Sequence, residues 1–100
     1  GCAFEQGHQL INGDNISTFY GGRLLVTIQN EQTSLFSDDQ GFGEHVLDNY
    51  KSAPDMISSL KLSEENYMHF VLNLKDQRFI LTSTVATSYS SMVHGKCVGL

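Results

Sequence analysis

The residues best suited to chemistry in this sequence of 100 residues are its two cysteines and four histidines. His94 stands three positions before Cys97. At that spacing an imidazole can activate a free thiol, so that the sulfur becomes a nucleophile. A disulfide at Cys97 would remove the thiol and exclude this chemistry. The oxidation state of Cys97 therefore decides whether the pair is reactive.

The two cysteines, Cys2 and Cys97, belong to neither a CxxC pair nor a zinc-binding set. A disulfide between them is the favoured interpretation, and two separate buried thiols are the alternative. In the chain-entropy model, closing a loop of about 100 residues stabilises a domain by roughly 4.7 kcal/mol. The bond would place the protein in an oxidising compartment, periplasmic or secreted. A competing interpretation is that Gly1-Cys2 resembles the end of a bacterial lipoprotein cleavage site, where Cys2 would carry a lipid anchor.

Recognisable catalytic and metal-binding motifs are missing from the sequence. It contains no nucleophile elbow, phosphate-binding loop or paired-histidine helix motif. The remaining histidines, His8, His45 and His69, do not have the spacing of metal ligands. We therefore expect a protein that is not an enzyme and that binds no cofactor, apart from the weak calcium site considered below.

Length and charge limit the classes of partner. The chain has the length of a single domain, residues 1–100, with one modest core. Its formal charge of -5, from 6 basic and 11 acidic residues, opposes a phosphate backbone, so we expect no nucleic-acid partner. No apolar run approaches the roughly 20 residues that a membrane helix needs, so we expect no membrane span.

Alternating apolar residues predict that the chain is built from short strands. Segment 23–29 places its leucine, valine and isoleucine side chains alternately, which predicts a strand. Segments 67–74 and 78–85 alternate in the same way and flank the polar residues 75–77. This pattern predicts a hairpin.

The predicted turns and loops between the strands indicate the fold class. Residues 19–22, Phe-Tyr-Gly-Gly, predict a turn, and residues 48–54 predict a loop with one helical turn. About eight short strands with turn signals, and no amphipathic helix, are typical of an all-β fold. We expect a small antiparallel Greek-key β-sandwich or a barrel-like domain, because both forms give the same alternating strands.

Segment 34–62 carries the most distinctive pattern, because turns, acids and a doubled serine lie between short apolar runs. Phe36, Asp38, Gly43 and the run Pro54-Asp55-Met56-Ile57-Ser58-Ser59 follow one another in an order and spacing that resemble a βγ-crystallin Greek-key motif. That family's motif has an aromatic residue, an acidic hairpin, a glycine and a later run that ends in serines. The resemblance covers about a third of the chain and implies a Greek-key domain.

The resemblance also implies a calcium site. In the family members that bind calcium, the serine or threonine of the run and nearby acids supply oxygen ligands, which this hard cation prefers. Carried over, this nominates Asp38, Asp55 and Ser58 as ligands. Pro54 takes the place of one oxygen-bearing residue, so we expect weak binding. The other interpretation of Asp38 and Asp39 is a solvated hairpin tip.

The expected function follows from size, charge and the lack of catalytic motifs. We expect a small exported binding protein that acts on another protein, for example as an inhibitor of a protease, lysozyme or toxin. Exposed aromatic side chains beside rigid turns make good anchors for such contacts. The predicted binding residues are Phe19, Tyr20, Asp38, Asp39, Phe42 and Tyr50. The alternative is a βγ-crystallin-like structural domain with weak or lost calcium binding.

Overall fold

A computed structural model of the protein describes residues 1–11, 15–19, 21–38, 42–86 and 88–99. These residues form nine β-strands. In chain order they are β1 (Cys2–Ile11), β2 (Asn15–Phe19), β3 (Arg23–Ile28), β4 (Gln32–Ser37), β5 (Gly43–Ala53), β6 (Met56–Leu62), β7 (Asn66–Asn73), β8 (Arg78–Val85) and β9 (Tyr89–Cys97). Within these ranges there is no helix long and apolar enough to cross a membrane.

The strands close into an antiparallel barrel with eight strand positions around its circumference. From β3 to β9 each strand pairs with the next one along the chain, and β1 completes the ring by pairing with β9. β2 and β3 occupy one position, because both run antiparallel to β1 in the same register. Phe19 of β2 lies opposite Gly7, and Arg23 of β3 lies opposite Ala3. Among the described strands, β2 pairs only with β1.

The all-β antiparallel fold expected from the alternating pattern is confirmed, and the structure adopts the closed barrel. The order of strands differs from the predicted Greek key, because it is an up-and-down meander. The turns from β5 to β6, from β6 to β7 and from β7 to β8 are short. Such turns join neighbours in an antiparallel sheet, whereas a crossover to a distant strand needs a longer connection.

The turn predicted at residues 19–22 does not reverse the chain. β2 and β3 run in the same direction along β1, so the glycines between them interrupt one long strand. Gly21 and Gly22 have φ angles of 79° and 132°, which other residues rarely adopt. The glycine signal was therefore a correct indication of irregular backbone and a wrong indication of a turn.

The loop and helical turn predicted at residues 48–54 are also wrong. β5 continues through this segment to Ala53. A bulge between Asn49 and Lys51 shifts the pairing with β6 by one residue. The extra residue breaks the alternation of inward and outward side chains, which explains why the period of a strand is not visible there.

The disulfide predicted between Cys2 and Cys97 is present at the lower end of the barrel, where β1 begins and β9 ends. The two cysteines are cross-strand partners and both are buried. Neither sulfur is a free thiol. The bond excludes the activated thiol considered for His94 and Cys97, and it occupies the Cys2 sulfur that a lipid anchor would use.

Large apolar side chains fill the lower half of the barrel above the disulfide. The most deeply buried are Leu24, Leu35, Leu47, Phe70, Leu72 and Phe79. They come from β3, β4, β5, β7 and β8, so the core draws on most of the circumference. Its burial provides the main stabilisation of the barrel.

Gly95 of β9 lets the phenylalanines of the core pack close to the sheet. It lies opposite Phe4 of β1 and Phe79 of β8. A β-carbon at this position would overlap the carbonyl oxygen of Ala3 and lie 2.8 Å from the Phe79 ring. The Phe79 ring centroid is 6.1 Å from that of Phe4 and 5.7 Å from that of Phe70. These rings form the top of the packed half.

A buried polar network joins β4, β5 and β6 beside this core. Thr33 Oγ1 donates a hydrogen bond of 2.7 Å to Asn49 Oδ1, and Ser59 Oγ donates one of 2.6 Å to the same oxygen. Asn49 Nδ2 in turn donates to the carbonyl oxygen of Gln29 at 3.0 Å. Because each polar group has a partner, burying the network carries little penalty and fixes the three strands next to one another.

Candidate functional site

A cavity of about 520 Å³ occupies the upper half of the barrel, on the other side of the core from the disulfide. It exists because the inward side chains of β8 and β9 become small toward the upper end. Leu81 pairs with Val93, whereas the next inward pair is Ser83 with Ser91. The two hydroxyl oxygens are 2.8 Å apart and share a hydrogen bond. Two serines leave open the space that two large side chains would fill.

The cavity combines an apolar floor with a polar wall. The floor includes Phe4, Met68, Leu81 and Val93. The polar wall includes Gln9, His45, Lys61, Ser83, Tyr89 and Ser91. Small-molecule sites in proteins usually measure roughly 300–1,000 Å³ and join apolar walls to a few polar groups, and they occur in the mouths of β-barrels. Both the volume and the lining therefore fit a ligand site.

One wall of the cavity is built at the start of β5. Gly43 has a φ of 71°, and this left-handed conformation turns the chain between Phe42 and the strand. Phe42 is half-buried and packs against the core. Its ring lies edge-on to the His45 ring, with the centroids 4.7 Å apart. The contact holds both aromatic side chains at the cavity.

Hydrogen bonds fix the tautomer of His45. Its Nε2 is 2.8 Å from the carbonyl oxygen of Phe42, and its Nδ1 is 3.3 Å from Lys61 Nζ. A carbonyl oxygen only accepts, so Nε2 carries the proton and donates it to Phe42. An ammonium group only donates, so Nδ1 offers its lone pair to Lys61. His45 thus links the β4–β5 connection to the lysine on β6.

Lys61 gives the cavity a positive charge. It is the only charged residue among the described residues that line the cavity. It forms no ion pair with any acidic side chain that the structure describes. Glu5 and Arg78 form an ion pair of 2.8 Å elsewhere, and neither residue lines the cavity. The charge of the described cavity lining is therefore positive, whereas the chain as a whole has a formal charge of -5.

Two of the residues predicted from the sequence to form one binding surface, Phe42 and Tyr50, do not lie on the same surface. Phe42 lines the cavity, whereas Tyr50 is 57% exposed and faces outward from β5. Asp38 is exposed just beyond β4 at the upper end. Phe19 belongs to β2, but its side chain lies outside the described part of the structure. Tyr20 and Asp39 are likewise outside the described residues, so their place in a surface stays a prediction.

Tyr50 belongs instead to an aromatic cluster on the outer wall, which the sequence did not indicate. Its hydroxyl is 2.7 Å from His69 Nε2, and the two rings stack with centroids 5.8 Å apart. The Tyr67 ring lies 6.3 Å from the same histidine. The cluster covers part of β7 and leaves Tyr50 well away from the apolar floor of the cavity.

The three residues nominated as calcium ligands are not brought together. Asp38 follows β4 at the upper end, whereas Asp55 lies in the turn after β5 at the lower end. The 11 residues of β5 span about 33 Å at roughly 3.3 Å per residue. Ser58 is buried within β6. In the parts of the chain that the structure describes, no three His, Cys, Asp or Glu side chains are grouped as a metal site.

The fold and the cavity define a class of protein: a small antiparallel β-barrel, closed by a disulfide at one end and hollow at the other. Comparison with known proteins adds no relative, since no family model, curated protein or solved structure matches the chain. The geometry of the cavity is accordingly the basis for a functional proposal.

The sequence contained a signal for the cavity that the alternating pattern concealed. On β8, Ser83 stands on the same inward face as Phe79 and Leu81. A polar residue at an inward position of an apolar strand marks either a buried network or a cavity. Lys61 on β6 is a second such residue, because its cross-strand partner Met68 is buried.

Proposed function

We propose that the protein is a small, non-catalytic binding protein that holds an amphiphilic small molecule in the cavity. The observation that carries the proposal is the cavity itself, with its apolar floor and a wall of neutral polar groups and one lysine. Such a lining can shield the apolar part of a ligand from water and orient its polar part. A protein whose only role was structural would gain stability from filling this space with larger side chains.

We propose that the protein works outside the reducing cytosol, in a periplasmic or secreted setting. The Cys2–Cys97 disulfide supports this, because such bonds persist in oxidising compartments. It also supports the absence of thiol catalysis. Inhibition of a protease, lysozyme or toxin stays a prediction from the sequence, and Phe42 and Tyr50 of the nominated surface face different directions.

Binding of N-phenyl-1-naphthylamine tests the cavity. This neutral probe fluoresces more strongly in apolar surroundings, and the chain contains no tryptophan to interfere. Titration of the native, disulfide-bonded protein is expected to show saturable binding at one class of site.

A matched pair of variants locates the probe. Ser83→Phe fills the cavity from β8 and is expected to weaken probe binding by about tenfold or more, a loss of about 1.4 kcal/mol of binding free energy. Thr82→Phe adds the same side chain at the adjacent, outward position and is expected to bind like the native protein. Ser91→Val tests the same space with a smaller change if Ser83→Phe does not fold. No saturable binding, or equal binding by all variants, would refute the proposal.

A further inference from the structure

We propose that the cavity selects amphiphiles with a carboxylate head group, and that Lys61 is the counter-ion of that group. The inference rests on the proposed function, because it assumes that the cavity holds an amphiphile. It goes further by naming the chemical class of the ligand, its orientation and the residue that discriminates. The feature that motivates it is a cation on the inner wall that has no acidic partner among the described residues, in a cavity whose other described lining residues are uncharged.

The register of β6 places Lys61 on the inner face of the barrel. Lys61 pairs with Met68 of β7, and Ser59 pairs with Phe70 two residues earlier. Met68 and Phe70 are both buried in the interior, so Lys61 and Ser59 start from the same inner face. Lys61 is half-buried. A lysine on the outer wall is more exposed, as Lys51 is on β5.

His45 acts as a positioning residue for the lysine. Its Nδ1 accepts a hydrogen bond from Lys61 Nζ, and its ring is held by Phe42 through the carbonyl bond and the edge-on contact. An ammonium group has three donor hydrogens, and one is used on His45. The others remain for a ligand. A neutral partner orients the ammonium group without cancelling its charge, as a carboxylate would.

The charge balance favours a ligand with one negative charge. No acidic residue is found among the described residues that line the cavity, and one lysine supplies a single positive charge. A carboxylate neutralises that charge, and its second oxygen can accept hydrogen bonds from the hydroxyl or amide groups of the wall. A phosphate dianion would leave excess negative charge in a partly desolvated site, and a cationic head group would be repelled.

The same geometry predicts how the ligand lies. Lys61 is close to the upper end of β6, and His45 is close to the upper end of β5. The floor formed by Phe4, Leu81 and Val93 lies deeper, next to the packed core. The carboxylate should therefore stay near the mouth of the cavity, where water remains accessible, while the apolar tail of the ligand reaches down to Phe4. This arrangement satisfies both ends of an amphiphile.

Displacement of N-phenyl-1-naphthylamine by three ten-carbon compounds tests the selectivity. Decanoate, decanol and decyltrimethylammonium share a tail and differ in the charge of the head group. Decanoate is expected to displace the probe at a concentration about tenfold lower than decanol, and the cation is expected to be the weakest. All three compounds are used at concentrations below those at which they form micelles. Equal displacement of the probe by all three would overturn the inference.

Two lysine variants separate the local charge from the overall charge. Lys61→Met is expected to lower the ratio of decanoate affinity to decanol affinity about tenfold, whatever its effect on the neutral probe. Lys51→Met removes the same charge from the outer face of β5 and is expected to leave the affinities for decanoate, decanol and the probe unchanged. Lys61→Arg keeps a positive charge and should retain the preference for decanoate. His45→Leu should lower the preference for decanoate over decanol, because the lysine loses the hydrogen bond that orients it.

The outcomes distinguish this inference from the proposal on which it rests. If the native protein binds the neutral probe and Lys61→Met still prefers decanoate over decanol, the carboxylate inference is wrong and the cavity remains a binding site. If the native protein binds neither the probe nor decanoate, the proposed function is itself wrong. If Lys61→Met loses probe binding and its native circular dichroism, the test passes to the other two variants. The inference then requires that Lys61→Arg keep the preference for decanoate over decanol and that His45→Leu lower it.

Discussion

The lower and upper halves of the barrel are made from the same strands but differ in what fills them. On the inner face of β8 and β9, the lower half places Phe79 against Gly95, whereas the upper half places Ser83 against Ser91. Fully burying one large apolar side chain contributes about 1.5–3 kcal/mol. The upper half forgoes that contribution and retains a cavity. Stability and the capacity to bind are thus assigned to different ends of one sheet.

Removing a large side chain from the lower half should have the greatest effect. Phe79→Ala is expected to lower the free energy of unfolding by about 3–5 kcal/mol, because it opens a void beneath the two other phenylalanines. Ser83→Ala, four residues along the same face, is the control and should lower it by no more than about 1.5 kcal/mol, through loss of the hydrogen bond to Ser91. Denaturant titration of both variants with the disulfide intact measures the difference. Similar losses in the two variants would show that the halves contribute equally.

Removing the disulfide at the lower end should have the next largest effect on stability. The double variant Cys2→Ala and Cys97→Ala is expected to lose about 2–5 kcal/mol, because the unfolded chain is no longer constrained. Probe affinity in the folded fraction should remain that of the native protein, since neither cysteine lines the cavity. Thermal unfolding and probe titration check the two parts. A loss of probe affinity at temperatures where the variant is fully folded would mean that the two ends are coupled.

Adding a single methyl group to the lower half should also be costly. Gly95→Ala places a β-carbon against the Ala3 carbonyl oxygen and the Phe79 ring, so the backbone of β9 must shift. Overpacking of this kind costs about 1–3 kcal/mol, and here the blocking atom is backbone. Gly21→Ala is the matched control for space, because nothing lies near its β-carbon position, although its φ of 79° adds some strain. Thermal midpoints of the two variants give the comparison; a smaller loss for Gly95→Ala would contradict the packing argument.

Calcium should have the smallest effect of all. Asp38 lies at the upper end and Asp55 at the lower end, so they cannot share one ion with Ser58. A ligand that binds only the folded state raises the thermal midpoint by mass action. We therefore expect equal midpoints in chelator and in millimolar calcium. A rise of several degrees that Asp38→Asn and Asp55→Asn both abolish would show that one site joins the two ends.

Local patterns in the sequence were sufficient for most of the strands and for the disulfide. The hairpin of β7 and β8 follows from strict alternation, because each strand buries one face. The disulfide follows from there being only two cysteines. The glycines at 21 and 22 misled, since a positive φ serves both a turn and an interruption of a strand. The bulge at Asn49 concealed the length of β5 for a related reason, because it changes the period within one strand.

The cavity depended on information that local patterns do not contain. His45 and Lys61 are 16 residues apart in sequence. They meet only because their strands lie side by side and both side chains face the interior of the barrel. Ser83 and Ser91 create space only when paired with each other on a closed sheet. Closure itself depends on β1 pairing with β9, a contact between segments that are distant in sequence. The residue types predicted a binding protein without locating its site. The register of the strands determines which residues line the cavity.

The pairing of β1 with β9 has a consequence for how the protein reaches its native state. Hairpins from β3 to β9 join neighbouring segments and can form early, but β1 meets β9 across a sequence separation of 95 residues, as measured at the cysteines. Contacts of that kind slow folding. Until they form, two strand edges present unpaired backbone groups that invite aggregation. Oxidation of the cysteines, which the completed β1–β9 pair brings together, would retain the closed ring and protect both edges.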